Sequence, residues 1–367
     1  ITRNRGAFQM LRLDGVSSRT ADAELINTLH NQLGHALRTI SDDRVMIYVH
    51  MVRSSDTQYP AGAFASDLAR WIDQSYRARL EAKRLYRNDL YLTLYMQPRG
   101  LPGANFAKGV RRARSSQIEV DQDLLDDLDD KATQLTRSLS RFRPRKLSVV
   151  RDARDILISE PASVLKQLLT GRHDPVPVVH GTIGNAIYTD RVIFGREALE
   201  IRHASDSTYG ALFGIKEYSA STRPNMFDAL LTAPFRFIFT QSFRCIAKND
   251  ALNQMMLKEG QLRNANDPAA SQADALPEAR DDLASGKFVM GEHNLSLTLL
   301  TEDPKDLRNR AADAKTLLSD AGAVVSREDL GIEPQFWAQL PGNHAHRARV
   351  AVVTSRNFTA MAPLHNT

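Results

Sequence analysis

Hydrophobic positions in the first hundred residues alternate between the spacings of strands and of helices. Apolar runs at residues 8–13 and 45–52 are typical of strands, and an alternating run at 89–97 places its leucines on one face. Two stripes at helical spacing lie between these runs, and the first follows a helix cap predicted at Thr20. The stripes consist of Leu25, Ile26, Leu29, Leu33, Ala36, Leu37 and Ile40, and of Phe64, Leu68, Trp71, Ile72, Tyr76 and Leu80. The pattern predicts an N-terminal α+β domain with helices packed on a sheet.

The next stretch predicts a loop, a helix and a domain boundary. Residues 98–116 are rich in glycine and basic side chains, which indicates a mobile loop or a long excursion. An acidic helix is predicted around residues 124–135, and a short strand at residues 147–150. Turn residues follow, so we predict two domains, residues 1–150 and residues 151–367.

Short strand-like segments dominate the second half, and connections of this length favour antiparallel pairing. The segments lie at residues 176–179, 186–194, 198–203, 209–218 and 235–243. Helix formers across residues 250–285, broken at 267–268, predict a helical hairpin. Alternating leucines at 295–299 indicate another strand, and an amphipathic helix over 307–321 ends at Gly322. The predicted fold class is α+β, with a mainly antiparallel second α+β domain that carries the helical hairpin.

Composition narrows the cellular setting but not the chemistry. The net charge of +5 arises from 48 basic and 43 acidic residues, which predicts weak attraction to acidic partners without establishing nucleic-acid binding. The single cysteine, Cys245, lies in an apolar run, so we expect a buried thiol and a reducing, cytoplasmic compartment. No run approaches the roughly 20 apolar residues that span a bilayer, and we predict that this segment is not integral to a membrane.

Sequence motifs for nucleotide, cofactor or metal chemistry are missing from the chain. A P-loop requires Gly-x-x-x-x-Gly-Lys-Ser/Thr, but the only Gly-Lys pair, Gly286-Lys287, is followed by Phe288. The chain also contains no Gly-x-Gly-x-x-Gly turn, no His-Glu-x-x-His helix and no paired cysteines. We therefore predict no catalytic, cofactor-binding or metal-binding residues in this segment.

Histidines near the C-terminus are the weak candidates for a chemical site. His344 and His346 could bind a metal with Glu292 or His293 as a third ligand, and a solvated loop is the alternative. Glu292 and His293 could also form an acid/base pair. Adjacent residues on a strand point to opposite faces, however, which favours polar residues at a strand edge.

Basic and aromatic residues offer possible binding surfaces. Two basic clusters could contact phosphates, because the guanidinium fork matches them, although solvated charges on a loop and a helix end are the alternative. Trp337 could anchor a partner or pack between apolar neighbours in the core. The basic clusters are Arg111, Arg112 and Arg114, and Arg141, Arg143, Arg145 and Lys146.

The most distinctive part of the sequence is its last eighty or so residues. The stretches are FVMGEH at 288–293, LT at 297–298, FWAQLPGN at 336–343, TSRNF at 354–358 and PLHN at 363–366. Together they resemble the region that precedes the motor domain in type IV secretion ATPases of the VirB/TrbE/CagE class. Weaker similarity covers NDLYLT at 88–93 and residues 210–218.

This resemblance implies a fold and a role. Family members have an α+β N-terminal region followed by a RecA-like ATPase domain with the P-loop and Walker B residues, and we expect the present chain to end before that domain. ATP and Mg²⁺ would then be cofactors of the full-length protein only. The implied role is docking at the cytoplasmic face of the bacterial inner membrane, as a dimer or hexamer, beside small membrane subunits of the channel and other secretion ATPases. Such motors power conjugation, pilus assembly, and DNA or protein transfer.

Two other classes of function remain open from the sequence. One is a nucleic-acid-binding module that contacts transferred DNA through the basic clusters. The other is a stand-alone enzyme whose catalytic side chains are dispersed along the chain and form no linear motif.

Overall fold

The structure is a computed structural model that describes residues 1–2, 4–17, 20–56, 58–60, 62–99, 121–264, 270–362 and 364–366. Within these ranges the strands are β1 (Ala7–Leu13), β2 (Val16–Ser17), β3 (Val45–Asp56), β4 (Leu85–Met96), β5 (Arg145–Lys146), β6 (Val149–Arg151), β7 (Leu157–Ser159), β8 (Arg191–Phe194), β9 (Leu199–Arg202), β10 (Ser207–Glu217), β11 (Arg236–Cys245), β12 (Met290–Thr301), β13 (Val324–Arg327), β14 (Ala351–Thr354) and β15 (His365–Asn366). The α-helices are α1 (Ala23–Ile40), α2 (Asp67–Glu81), α3 (Gln122–Ser138), α4 (Glu160–Thr170), α5 (Ile183–Ile187), α6 (Lys248–Asn264), α7 (Ala270–Ala284), α8 (Leu307–Asp320), α9 (Ile332–Ala338) and α10 (Ser355–Met361).

A large antiparallel sheet organises the chain. Among the described residues it has 11 strands, in the order β5-β1-β4-β3-β11-β12-β10-β9-β8, with β13 paired to β10 and β14 paired to β12. Two small two-stranded pairings, β15 with β2 and β6 with β7, lie outside it. The α+β class and the antiparallel pairing predicted from the sequence are therefore confirmed.

Strands from the two halves of the sequence meet in the centre of this sheet. β3 pairs with β11 from Met46 to Arg53, so that Val49 lies opposite Gln241. β12 then continues the sheet on the other side of β11. The predicted division near residue 150 thus runs through a chain whose two parts share one sheet, and the division itself remains a prediction.

Helices cover both faces of the sheet. On one face α1, α3, α8 and α10 pack against the larger core, which includes Leu33, Leu92 and Phe239. On the other face α4 and α9 pack against a second core that contains Leu168 and Phe336. The alternating leucines predicted to share a face of β4 all lie in the first core, as strand periodicity requires.

Several boundaries differ from the sequence prediction for local reasons. Helix α1 is capped by Asp22 rather than Thr20, because the Asp22 carboxylate accepts a hydrogen bond from the Leu25 amide at 2.8 Å. Segment 147–150 does not form one strand: residues 147 and 148 lie between β5 and β6, and residues 149 and 150 belong to β6. Segment 176–179 makes a single bridge at Pro177, which has no N–H to donate. Segment 186–194 divides between α5 and β8.

Two predicted helical features in the C-terminal half are confirmed. Helices α6 and α7 form the hairpin around a small core of their own, which includes Ala251 and Leu283. The predicted break at 267–268 lies outside the described residues. Gly322 follows α8 with φ +84°, a backbone conformation that glycine adopts without a steric penalty.

Helix α2 is the clearest departure from the predicted packing. Its apolar stripe was expected to pack on the sheet, yet none of its residues is buried. The helix is stabilised locally instead: Ser66 caps it, and ion pairs join Arg70 to Asp67 at 2.9 Å and Arg77 to Glu81 at 2.8 Å. Helical periodicity is therefore right for this segment, but the inference that its apolar face is buried is wrong.

Candidate functional site

Glu292 and His293 lie side by side on β12 and serve different networks. The Tyr218 hydroxyl donates to Nδ1 of His293 at 2.8 Å, and Nε2 of His293 donates to the Gln241 side-chain oxygen at 3.0 Å. Burial, together with the nearby positive charge of Arg347, lowers the pKa of His293 to about 3. Glu292 instead accepts a hydrogen bond from Arg347 at 2.6 Å. A neutral, fully engaged histidine stabilises the interior and is not arranged for proton transfer with Glu292.

The two histidines proposed as metal ligands are also separated in their roles. Nε2 of His344 accepts a hydrogen bond from the Gln97 amide at 2.8 Å, and its ring lies beside Tyr95. His346 is exposed. Across the described parts of the chain, no group of three His, Cys, Asp or Glu side chains is placed to hold a metal ion. The structure therefore does not bring His344 and His346 together with Glu292 or His293 as ligands.

A second neutral histidine lies within the sheet. Nε2 of His50, on β3, donates to the backbone oxygen of Gln339 at 2.9 Å, which fastens the segment after α9 to the sheet. Complete burial lowers the pKa of His50 to about 4. Hydrophobic periodicity indicates which residues of a strand are buried, but it does not show which distant groups they bond. No sequence pattern therefore identified His50.

Acid is expected to destabilise the fold through these histidines. The folded pKa values, about 4 for His50 and about 3 for His293, lie below the ordinary value of 6.5. Between pH 6.5 and pH 4 the unfolded chain binds protons that the folded chain excludes, so the free energy of unfolding falls as pH falls. We expect a loss of about 2 kcal/mol per histidine between pH 7.5 and pH 5, measured by urea denaturation. Equal pH slopes for the protein and a His50→Gln variant would contradict this assignment.

The basic cluster at residues 141–146 is partly neutralised by acidic neighbours. Arg145 pairs with Glu160 at 2.8 Å, and Lys146 pairs with Asp129 at 2.8 Å. Arg141 and Arg143 are exposed. The other cluster, Arg111, Arg112 and Arg114, lies outside the described residues. Ion pairs therefore neutralise two of the four basic side chains of this cluster.

Trp337 and Cys245 both have structural surroundings. Trp337 packs against Phe194 and Tyr188, with ring centroids 6.1 and 5.9 Å away, which supports the core-packing alternative. Cys245 is buried at the end of β11, and burial raises the pKa of its thiol to about 11. The predicted buried thiol is therefore confirmed, and a thiol of this kind is unreactive.

A cavity of about 820 Å³ opens where the ends of β3 and β4 meet β11, β12 and α8. Its charges are largely matched: Arg236 pairs with Glu302 at 3.0 Å, and Arg310 pairs with Asp306 at 3.1 Å. The lining side chains come from segments far apart in the sequence, so no motif pointed to it. Such balanced walls suit a polar partner segment better than a multiply charged small anion.

Helix α2 stands beside this cavity with its apolar residues turned outward. Leu68, Trp71, Ile72 and Tyr76 are 67, 64, 55 and 55% exposed. Side chains at these spacings share one helix face, so they form a continuous apolar strip, here called the α2 strip. A strip of this size on a surface marks an interaction site more often than an accident of packing. The sequence pattern revealed the strip but not the direction in which it faces.

None of the helices in the described part of the chain is both long and apolar enough to cross a bilayer.

Comparison with known proteins places the whole chain in a protein family. Residues 1–102 match the N-terminal domain of the type IV secretion system ATPase VirB4/TrbE. Residues 145–349 match the CagE, TrbE, VirB family, a component of the type IV transporter system.

Similar proteins from several bacteria extend over nearly the full sequence. The chain is 43% identical to the type IV secretion system protein virB4 of Bartonella quintana, over 99% of this chain and 47% of that protein. It is 37% identical to protein virB4 of Agrobacterium fabrum, over 97% of this chain and 45% of that protein. It is 32% identical to the type IV secretion system protein PtlC of Bordetella pertussis, over 100% of this chain and 45% of that protein. The chain spans about half the length of these relatives. With a family model matching more than half of its residues, the chain belongs to the CagE, TrbE, VirB family of type IV transporter components.

Proposed function

We propose that this chain forms the docking and assembly region of a type IV secretion ATPase, and that ATP is hydrolysed by residues outside it. The observation that carries the proposal is the extent of the family match: similarity runs over 99% of the chain but only 47% of the Bartonella relative. The 367-residue sequence contains no P-loop motif, so this chain has no phosphate cradle of that kind.

The proposal has consequences for cofactors, partners and location. ATP and Mg²⁺ would be bound by the part of the protein beyond this chain. The region described here would contact inner-membrane subunits of a secretion channel, further copies of itself in a dimer or hexamer, and other secretion ATPases, at the cytoplasmic face of the membrane. Rigid elements on a large sheet suit this role, because a docking region must hold its contact surfaces in fixed positions.

Direct binding of transferred DNA is the competing proposal, and the described ion pairs of Arg145 and Lys146 weaken it. A DNA contact would show itself as affinity that falls steeply with salt and that weakens when Arg111, Arg112 and Arg114 are neutralised.

The test is ATP binding and turnover by this chain beside a longer protein that also spans the part of the relatives' length that this chain does not cover. We expect turnover only in the longer protein, and we expect it to vanish when the P-loop lysine of that protein is replaced by alanine. Turnover by the 367-residue chain itself would overturn the proposal. So would a longer protein that contains a P-loop but gains no activity from it.

A further inference from the structure

Helix α2 turns its larger apolar side chains away from the rest of the chain. Its partly buried positions are Ala69, Asp73 and Leu80, and the Tyr59 hydroxyl donates to the Asp73 carboxylate there at 2.6 Å. The α2 strip lies on the other side and contacts solvent. A short helix gains most of its stability from burying its apolar face, so an outward strip indicates that something outside this chain covers it.

The position of α2 in the fold allows another molecule to contact the helix away from the body of the sheet. The helix is inserted between β3 and β4, whose outermost residues pair from Ser54 with Arg87 to Asp56 with Leu85. These last rungs of the ladder belong to a β-ribbon that lies beyond the pairing of β3 with β11, which ends at Arg53. The α2 strip is thus presented at the end of a ribbon rather than on the body of the sheet.

Charge around α2 is strongly asymmetric. Between positions 67 and 84, five cationic side chains outnumber three acidic ones. Two of the acidic residues, Asp67 and Glu81, are already paired within the helix with Arg70 and Arg77. Among the residues that the structure describes, Arg79, Lys83 and Arg84 have no carboxylate partner. The surplus positive charge lies at the C-terminal end of the helix, where Arg79 continues the face of Ile72 and Tyr76 while Lys83 and Arg84 border the cavity.

The residue types in and around the α2 strip indicate which kind of molecule buries it. Trp71 and Tyr76 each combine a large apolar ring with a polar tip, the type of side chain that concentrates where a bilayer meets water. Arg and Lys around a short apolar face are typical of helices that lie in the headgroup plane. A second copy of α2 would bring the same cationic surplus against itself, which like-charge repulsion disfavours.

We propose that α2 is a membrane-surface helix, with the α2 strip seated among the headgroups of an anionic bilayer and the adjacent cations on its phosphates. This inference rests on the proposed docking function, for which it names one contact surface and its ligand. The helix lies on the bilayer and does not cross it, since its 15 residues are too few and too polar to span one.

Tryptophan fluorescence offers a direct test, because the chain contains only two tryptophans. Trp337→Phe removes the half-buried ring and leaves Trp71 as the sole reporter. With vesicles of phosphatidylglycerol and phosphatidylcholine, we expect its emission to shift to the blue and the protein to co-sediment. Vesicles of phosphatidylcholine alone should bind at least about tenfold more weakly, and added salt should weaken binding to the anionic vesicles.

A matched pair of variants separates the α2 strip from general charge effects. Ile72→Glu places a carboxylate in the strip, and Gln74→Glu places the same charge on the opposite side of the helix. Both positions are exposed, so neither change threatens the fold. We expect Ile72→Glu to reduce vesicle binding by about tenfold or more and Gln74→Glu to reduce it by about threefold or less.

Several outcomes would overturn the assignment. Equal losses of binding in the two variants would show that the bilayer does not contact the α2 strip. Equal binding to both kinds of vesicle would show that the cations do not contact the lipid phosphates. If Ile72→Glu instead abolished self-association measured by light scattering, the cover would be a second copy of the chain. Vesicle binding is measured on this chain without nucleotide, so it can hold even where the ATP turnover experiment refutes the proposed function, and the reverse is also true.

Discussion

Phe243→Ala is expected to lower the free energy of unfolding by about 4 kcal/mol. Phe243 is fully buried on β11, and its ring stacks on Phe358 of α10 with centroids 4.9 Å apart. Gly291 on the neighbouring strand leaves the room that this ring fills, because a Cβ there would lie 2.4 Å from the Phe243 ring. Truncation would therefore leave a cavity between the central sheet and α10 that backbone atoms cannot collapse to fill.

Urea denaturation followed by circular dichroism measures this loss. Leu257→Ala is the matched control, since it also truncates a large apolar side chain, one that is 66% exposed on α6. We expect the control to change the free energy of unfolding by no more than about 0.5 kcal/mol. A Phe243→Ala loss below about 1 kcal/mol would mean that the contact between β11 and α10 is not a stabilising one.

Arg53→Met is expected to cost about 3 kcal/mol, although it replaces a cation with an apolar side chain of similar length. The Arg53 guanidinium is buried and donates to the backbone oxygens of Ala233 and Leu231 at 2.7 and 2.8 Å. It also donates to the Asn88 side chain at 2.7 Å and lies over the Tyr86 ring. Methionine would fill the space but leave these acceptors without their cationic donor.

Arg70→Met provides the control for loss of an arginine as such. Arg70 pairs with Asp67 on exposed α2, where ion pairs contribute little, so we expect a change of about 0.5 kcal/mol or less. Equilibrium unfolding of both variants under identical conditions gives the comparison. Similar losses for Arg53→Met and Arg70→Met would contradict the view that the buried acceptors set the cost.

Local periodicity explains which parts of this fold could be predicted from the sequence. The strands with long alternating patterns, such as β4 and β12, were found because a sheet with both faces covered requires apolar residues in succession or alternation. The hairpin of α6 and α7 was predicted because helix-forming residues stand on both sides of the Asp-Pro pair at 267–268 in the sequence. Short strands were misplaced, since β5, β6 and β8 are set by their partners in space rather than by their own residues.

Long-range relations explain what the sequence could not show about the candidate surfaces. His293 accepts a hydrogen bond from Tyr218, directly after β10, and donates one to Gln241 on β11, so its neutral state has no local signature. The stripe on α2 has the same spacing as the stripe on α1, yet one is exposed and the other buried. The sequence feature that separates the exposed stripe of α2 from the buried stripe of α1 is the excess of Arg and Lys after Trp71, because a helix that packs on a sheet does not require such an excess.

The pairing of β3 with β11 also constrains the order in which the chain can fold. Arg53 bonds to Leu231, 178 positions further along, so β3 and β4 leave the ribosome long before their neighbour in the sheet exists. Until β11 is synthesised, β3 has an open edge flanked by apolar faces, the kind of surface that recruits strands from other molecules. Chains truncated between β4 and β11 should therefore aggregate, and chaperone dependence during translation should end once residue 245 has emerged.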